Sequence, residues 1–560
     1  SRSHVVYNSG AIENELYGGA FGSYDYNKFV RDNIEGFKFP RQESPVNKQD
    51  GDDIAANTFV QIASQSTNAN DYVKNGIYGG GRGFANATRI VDVHQTYVHL
   101  HSATYNSRYA ASLFNPMTPA VYGGGYYSHV ENTQVDAVTG HVGIIYGGTA
   151  GMSATKLNPE ISYNAGTTTV KIYNGMDNTS MIVYGAGPLA GANTTNVHLY
   201  GGVADKVYGG AFAEGICCET NIFVPETSTV SVNALYGGSR GKQPNLPCDV
   251  IQSNINFLSD KASVTDAIFG GNDFMRATKN SLINITVPVK NLKADTLINV
   301  YAAGDGAGSI AGYTRAELSG RAEVRDIYGG GRNGLVLDGF DGAMNNDDLL
   351  AEYILEDSEL SNLKTYYSET KNNLPTWDKL ISETNTNVYL IGGQVKNIYG
   401  GGFNGDITGN TFVSIGKKQA TLHGNGRPTV LRSAYGGGQL ACVKGNANIS
   451  LYDGYIGYKY IAPSTSEGKG TYEPNIKISS IDELNLLDDN GNLYGGGYDE
   501  GGFVHNSYVN IYGGVVRNSV YGGGEIAAIG EGEMESPGSY KLKTITTPGS
   551  SNVYMHGGLV

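Results

Sequence analysis

The sequence predicts an all-β chain of the parallel β-helix (β-solenoid) class, with about three short strands per coil, loop insertions and one acidic helical insertion. Three observations carry this expectation. An aromatic residue followed by glycines returns along the whole chain. Apolar bursts of the form V-x-I or V-x-L recur beside it. Gly and Asn separate the bursts.

Tyr-Gly-Gly begins at Tyr17, Tyr78, Tyr122, Tyr146, Tyr200, Tyr208, Tyr236, Tyr328, Tyr399, Tyr435, Tyr494, Tyr512 and Tyr521, with degenerate copies at Tyr184, Phe269 and Tyr301. Taking one landmark per unit, positions 122, 146, 184, 208, 236, 269, 301 and 328 are separated by 24, 38, 24, 28, 33, 32 and 27 residues, the period of a solenoid array. The clearest unit runs from Asn387 to Ile415. In it Val388 and Leu390 alternate with Tyr389, the period-two pattern of a strand. A second burst ends in Ile398-Tyr399, and a third follows as Gly405-Asp406-Ile407. Each strand is expected to pair with its equivalent one coil away, at about 4.8 Å, giving a rod roughly 70 Å long for some fourteen or fifteen coils. Glycine fits a coil corner because it adopts φ > 0 without steric cost. Alternation places Ile398 in the core and Tyr399 outside, so Tyr122, Tyr208, Tyr328, Tyr399, Tyr435, Tyr494 and Tyr521 are expected to form an outward strip, the competing arrangement being that each turns inward at the corner and covers a coil end. Asn196, Asn387, Asn410, Asn446 and Asn552 open their units and suit an amide ladder.

Three segments interrupt the pattern. Residues 26–53 and 458–490 are polar, contain prolines and read as loops. Residues 335–384 carry eleven acidic side chains against Lys364, Lys371 and Lys379. Within them Leu349, Leu350, Tyr353, Ile354, Leu360, Leu363 and Tyr367 recur at helical spacing, so an amphipathic helix is expected there. The whole of 1–560 reads as a single β-helix. From its partial units, at His4–Gly19 and Asn552–Val560, it is expected to be a piece of a longer protein.

Composition limits the chemistry. The chain holds 80 Gly and 40 Tyr, and its net charge of −14 excludes a surface that tracks nucleic-acid phosphates. No apolar run is long enough to span a membrane. Cys217, Cys218, Cys248 and Cys442 have no zinc-type spacing; Cys217 or Cys218 could bridge to Cys248 in an oxidising compartment, or all four could be small buried apolar residues. His99 and His101 share the outer face of one strand, but no third metal ligand accompanies them. The calcium-binding nonapeptide of Gly-rich β-helices is approached at Gly401–Asp406 with the third Gly misplaced, which leaves room only for an isolated Ca²⁺; no other cofactor is expected. Asp273, Asp305, Asp406, Asp499, Glu500 and Glu525 all follow a glycine corner, the kind of scatter from which a glycan-cleaving pair of carboxylates would be assembled.

The stacked Tyr-Gly-Gly-Gly units resemble the Gly-rich β-helical repeats of bacterial secreted and cell-surface proteins, including adhesins. The resemblance implies an extracellular location on a bacterial surface. With the long uniform repeat and the low Lys and Arg content, it points to a non-enzymatic structural or adhesive rod segment. Its expected partners are a glycan or another cell-surface ligand, with end-to-end self-association through open coil ends. Two alternatives stand beside it: a glycan-binding module that uses the outward tyrosines, and a polysaccharide lyase or hydrolase.

Overall fold

The computed structural model describes residues 2–19, 57–62, 72–82, 92–101, 120–151, 165–242, 248–338, 385–417, 427–462, 470–475, 491–534 and 542–560, apart from a few single positions within them. Among these residues every regular element is a strand. The chain divides into two compact units, one of residues 1–233 and 237–251, the other of residues 234–236 and 252–560.

In the first unit the longer strands form one wide parallel sheet. Arg2–Tyr7, Asn57–Ile62, Asp92–Leu100, His129–Gly140, Ala165–Met176, Ala192–Leu199 and Cys217–Val224 lie side by side in that order. The shorter strands Glu15–Tyr17, Gly76–Tyr78, Ala120–Tyr122, Ile144–Tyr146, Ile182–Tyr184 and Val203–Tyr208 form a second, narrow parallel sheet. The second unit repeats the plan. Its wide sheet runs Arg276–Ile285, Ser309–Leu318, Thr386–Leu390, Thr411–Ile415, Val443–Leu451, Val504–Ile511 and Ser551–Met555. Its narrow sheet holds Ser263–Phe269, Asn299–Tyr301, Glu323–Tyr328, Gln394–Tyr399, Thr429–Tyr435, Leu493–Tyr494 and Val520–Tyr521.

Register follows the repeat. A one-residue slip would turn every buried side chain to the other face, so equivalent residues align. Val60, Val98, Val135, Val170 and Val197 form one buried column of the wide sheet in the first unit. Ile283, Ala316, Val388, Val413, Ile449 and Val509 form the corresponding column in the second. Burying each such aliphatic side chain contributes about 1.5–3 kcal/mol. The third burst of the repeat is slighter than expected. Val336, Ile407 and Val443 join by single parallel bridges and pack into a small core with Ala303, Ala311 and Val504.

The insertions differ from expectation at their edges. Leu335–Val336 is a strand paired with Ile310–Ala311, so the repeat runs past residue 335; residues 339–384, where the acidic helix was expected, lie outside the described residues. The expected loop at 458–490 contains an antiparallel hairpin of Tyr458–Ile461 and Thr471–Pro474, its two strands paired directly. The expected loop at 26–53 is outside the described residues.

Candidate functional site: the outer face of the wide sheet

The tyrosines expected on the outside are inside. Tyr122, Tyr208, Tyr328, Tyr399, Tyr435 and Tyr494 are between 0 and 5% exposed, and only Tyr521, at 45%, is open. Their rings stack on those of neighbouring repeats, Tyr328 on Tyr399 at 4.8 Å and 3° and Tyr399 on Tyr435 at 4.8 Å and 6°. Such stacked aromatic pairs add about 0.5–1.5 kcal/mol each beyond burial. Alternation along the strand is kept; what it does not reveal is that the side opposite Ile398 is also covered. The residue four positions after a tyrosine lies across the ring of the preceding repeat. Tyr126 meets Tyr78 at 87°, Phe403 meets Tyr328 at 87° and Tyr498 meets Tyr435 at 86°. Phe212 does the same, tilted, to Tyr184. That fourth position is aromatic at several units in the sequence, a signal that was there to be read. The hydroxyls are also engaged. Tyr328 donates to Gln439 Oε1 at 2.6 Å, Tyr236 to Asp305 Oδ2 at 3.2 Å, and Tyr435 to Glu525.

Tyr-Gly-Gly proves to be two motifs. Tyr200 and Tyr512 lie at the end of wide-sheet strands, in a separate column where Tyr173 stacks on Tyr200 and Tyr452 on Tyr512. There the second glycine turns the chain in the left-handed region, with φ of 81° at both Gly202 and Gly514. The glycine after a narrow-sheet tyrosine serves a different need. None of Gly79, Gly123, Gly329 or Gly400 has positive φ. A methyl group at Gly400 would meet the Gly436 carbonyl oxygen at 2.1 Å, so the requirement there is close approach between repeats.

These carbonyls bind the two sheets of each unit together. Thr386 Oγ1 donates to the Gly400 carbonyl and Thr411 Oγ1 to that of Gly436, both at 2.6 Å and both buried. Thr58, Thr96, Thr133, Thr168 and Thr195 make the same bond in the first unit. Thr386→Val keeps the shape and strands a buried carbonyl, so it is expected to lower stability by about 1–3 kcal/mol, while Thr386→Ser stays near wild type. Denaturant unfolding of the two variants checks this.

The scattered carboxylates are largely occupied. Asp273 and Asp305 both act on the Tyr236 hydroxyl, whose ionisation is suppressed first by burial and then by these charges. Asp305 also holds Arg332 through two bonds of 2.6 Å, and Arg332 reaches Asp266 and lies over the Phe269 ring at 4.8 Å. Asp406 accepts the Cys442 amide at 2.9 Å, Glu525 takes the Tyr435 hydroxyl, and Asp499 caps the Glu500 amide in a local turn. Asp273 and Asp305 therefore converge on one hydroxyl, while Asp406, Asp499 and Glu525 each hold a backbone amide or a tyrosine hydroxyl.

The face with the densest chemistry is the outer side of the wide sheet in the first unit. His99, Asp136, Lys171 and His198 occupy one column, each opposite the next in register. Asp136 accepts the Tyr97 hydroxyl and, at 2.9 Å, the Gln134 amide; Lys171 Nζ lies 3.9 Å from it. Partial burial, with His101 beside it, lowers the basicity of His99. Partial burial, with Lys171 beside it, does the same for His198, so both imidazoles are neutral at pH 7. Nδ1 of each is buried without a hydrogen-bond partner. Stacked Tyr173 and Tyr200 run along one side of the column and Tyr97 begins the other; all are half-buried. His99 and His101 do share a face, with ring centres 5.7 Å apart, and no group of three potential metal ligands occurs among the described residues. Only the aligned register reveals that Asp136, Lys171 and His198 continue the row begun by His99.

Cys217, Cys218, Cys248 and Cys442 are all buried free thiols, with Cys217 and Cys248 in one small apolar cluster. Burial pushes the Cys217 thiol up to about 12, so it is inert as a nucleophile. Comparison with known proteins finds no matching family model, no matching curated protein and no matching solved structure.

Proposed function

We propose that each unit is a parallel β-helix and that the chain is an extracellular structural and adhesive segment of a bacterial surface or secreted protein, non-enzymatic in itself. Three things support the β-helical reading: the chain alternates between two parallel sheets, both sheets keep the register of the repeat, and threonine hydroxyls of one bond to glycine carbonyls at the strand ends of the other. The observation that carries the functional reading is a contrast between columns. The repeated residues are spent on structure, as buried tyrosines, close-packed glycines and bonded threonines. In the first unit the outer column of the wide sheet changes at every repeat, reading Gln61, His99, Asp136, Lys171, His198 and Phe223. A constant frame with a variable face suits presentation and recognition. The tyrosine strip cannot serve as a glycan platform while its rings are buried, so recognition moves to this other face. Incubated with a panel of bacterial and plant polysaccharides, the purified protein is expected to release no new chain ends; chromatographic detection of cleavage products would overturn the reading.

A further inference from the structure

We infer that the row His99–Asp136–Lys171–His198 on the outer face of the first unit is a saccharide-binding site, which takes an unbranched chain of sugars lying across successive strands. The inference deepens the proposed recognition role and rests on it. Four features select the ligand class. First, the row mixes one carboxylate, one ammonium and two imidazoles, so it offers donors and acceptors together with little net charge. A phosphate polymer would need an excess of cations, and a bare cation would need clustered oxygens; hydroxyl groups, each both donor and acceptor, match a mixed row. Second, Asp136 is fixed by Tyr97 and Gln134, and Lys171 stands within reach of it while remaining partly exposed. These polar groups are therefore pre-positioned before any ligand arrives, which reduces the ordering cost of binding. Third, the aromatic rings of Tyr97, Tyr173 and Tyr200 flank the row, giving the amphipathic surroundings that sugar rings require. Fourth, the row repeats at the strand spacing of about 4.8 Å, so a ligand that itself repeats can meet one side chain after another. An extended peptide is a poorer match, because it satisfies its backbone at a sheet edge, and this is a sheet face.

The test is titration calorimetry of the whole chain with soluble cello-, chito- and galacturono-oligosaccharides. Lys171→Met and His198→Phe are the diagnostic variants. Phenylalanine is compatible with this column, since Phe223 stands opposite His198 in the next strand. Binding to one of the three classes is expected, weakened about tenfold or more by Lys171→Met, the size of a lost hydrogen bond to a charged group, and about two- to tenfold by His198→Phe, the size of a lost neutral one, with an unchanged melting temperature. No heat with any of the three, or equal affinity in wild type and both variants, would overturn the inference. The same mixtures, run on a sizing column, report separately on the scaffold reading: cleaved oligosaccharides would sink that reading whether or not binding depends on Lys171 and His198.

Discussion

Between pH 10 and pH 11 the second unit is expected to unfold in one steep transition. Tyr236, Tyr301, Tyr328, Tyr399 and Tyr435 all have their ionisation pushed upward, in each case chiefly by burial. In the unfolded chain the same side chains lose their protons near pH 10. The folded state therefore keeps protons that the unfolded state releases. The stabilisation is complete below pH 10 and is lost as pH rises above it. Tyr236, Tyr328, Tyr399 and Tyr435 each cost about 1.4 kcal/mol at one unit past the unfolded pKa, so the four together cost about 6 kcal/mol at pH 11, and Tyr301 acts in the same direction. A domain is stable by about 5–15 kcal/mol, so the loss is comparable to the whole. Tyrosinate absorbance and far-ultraviolet circular dichroism should change together. Smooth titration of these rings near pH 10, with the sheet signal intact, would show that the ring column is open to solvent.

Gly400→Ala is expected to cost about 3 kcal/mol or more, the upper end of what overpacking a core does. Its added carbon would collide with the Gly436 carbonyl at 2.1 Å and crowd Thr411 Oγ1 at 3.1 Å. Neither obstacle is the free end of a side chain: the carbonyl is ladder backbone, and Thr411 Oγ1 is fixed by its own bond to the same oxygen. Relief would require two repeats to separate at a point where the Gly400 amide donates to the Tyr435 carbonyl at 3.0 Å. Gly523→Ala, in another Tyr-Gly-Gly-Gly run, is the control. It is the second glycine after its tyrosine where Gly400 is the first, and the nearest atom to its added carbon is Ile529 Cγ1 at 3.9 Å. It should lie within about 0.5 kcal/mol of wild type. Thermal melting of the pair decides the matter, and equal melting temperatures would remove the steric account of the repeat.

How much of this was legible in the sequence depends on the kind of information involved. The strand alternation of Val388 and Leu390, and the recurrence of Tyr399 in equivalent units, are local patterns, and they led to the all-β class and to parallel pairing of equivalent segments. The burial of Tyr399 was not local. At Tyr328, for example, the second face of the narrow strand is closed by Phe403 and Gln439 from neighbouring repeats. The two uses of Tyr-Gly-Gly share a spelling and differ in backbone, left-handed at Gly514 and not at Gly400, so the letters alone merged them. The outer row was hidden for a third reason. His99, Asp136, Lys171 and His198 lie far apart in sequence and in unlike contexts, and they meet only once the register of four strands is fixed.

The aromatic side chains that reach backward have a mechanical meaning. Phe403 lies over Tyr328 and Tyr498 over Tyr435, so tension that lifts one turn of backbone must first withdraw a plug seated in its neighbour. Under load the chain is therefore expected to extend in small steps, one repeat at a time.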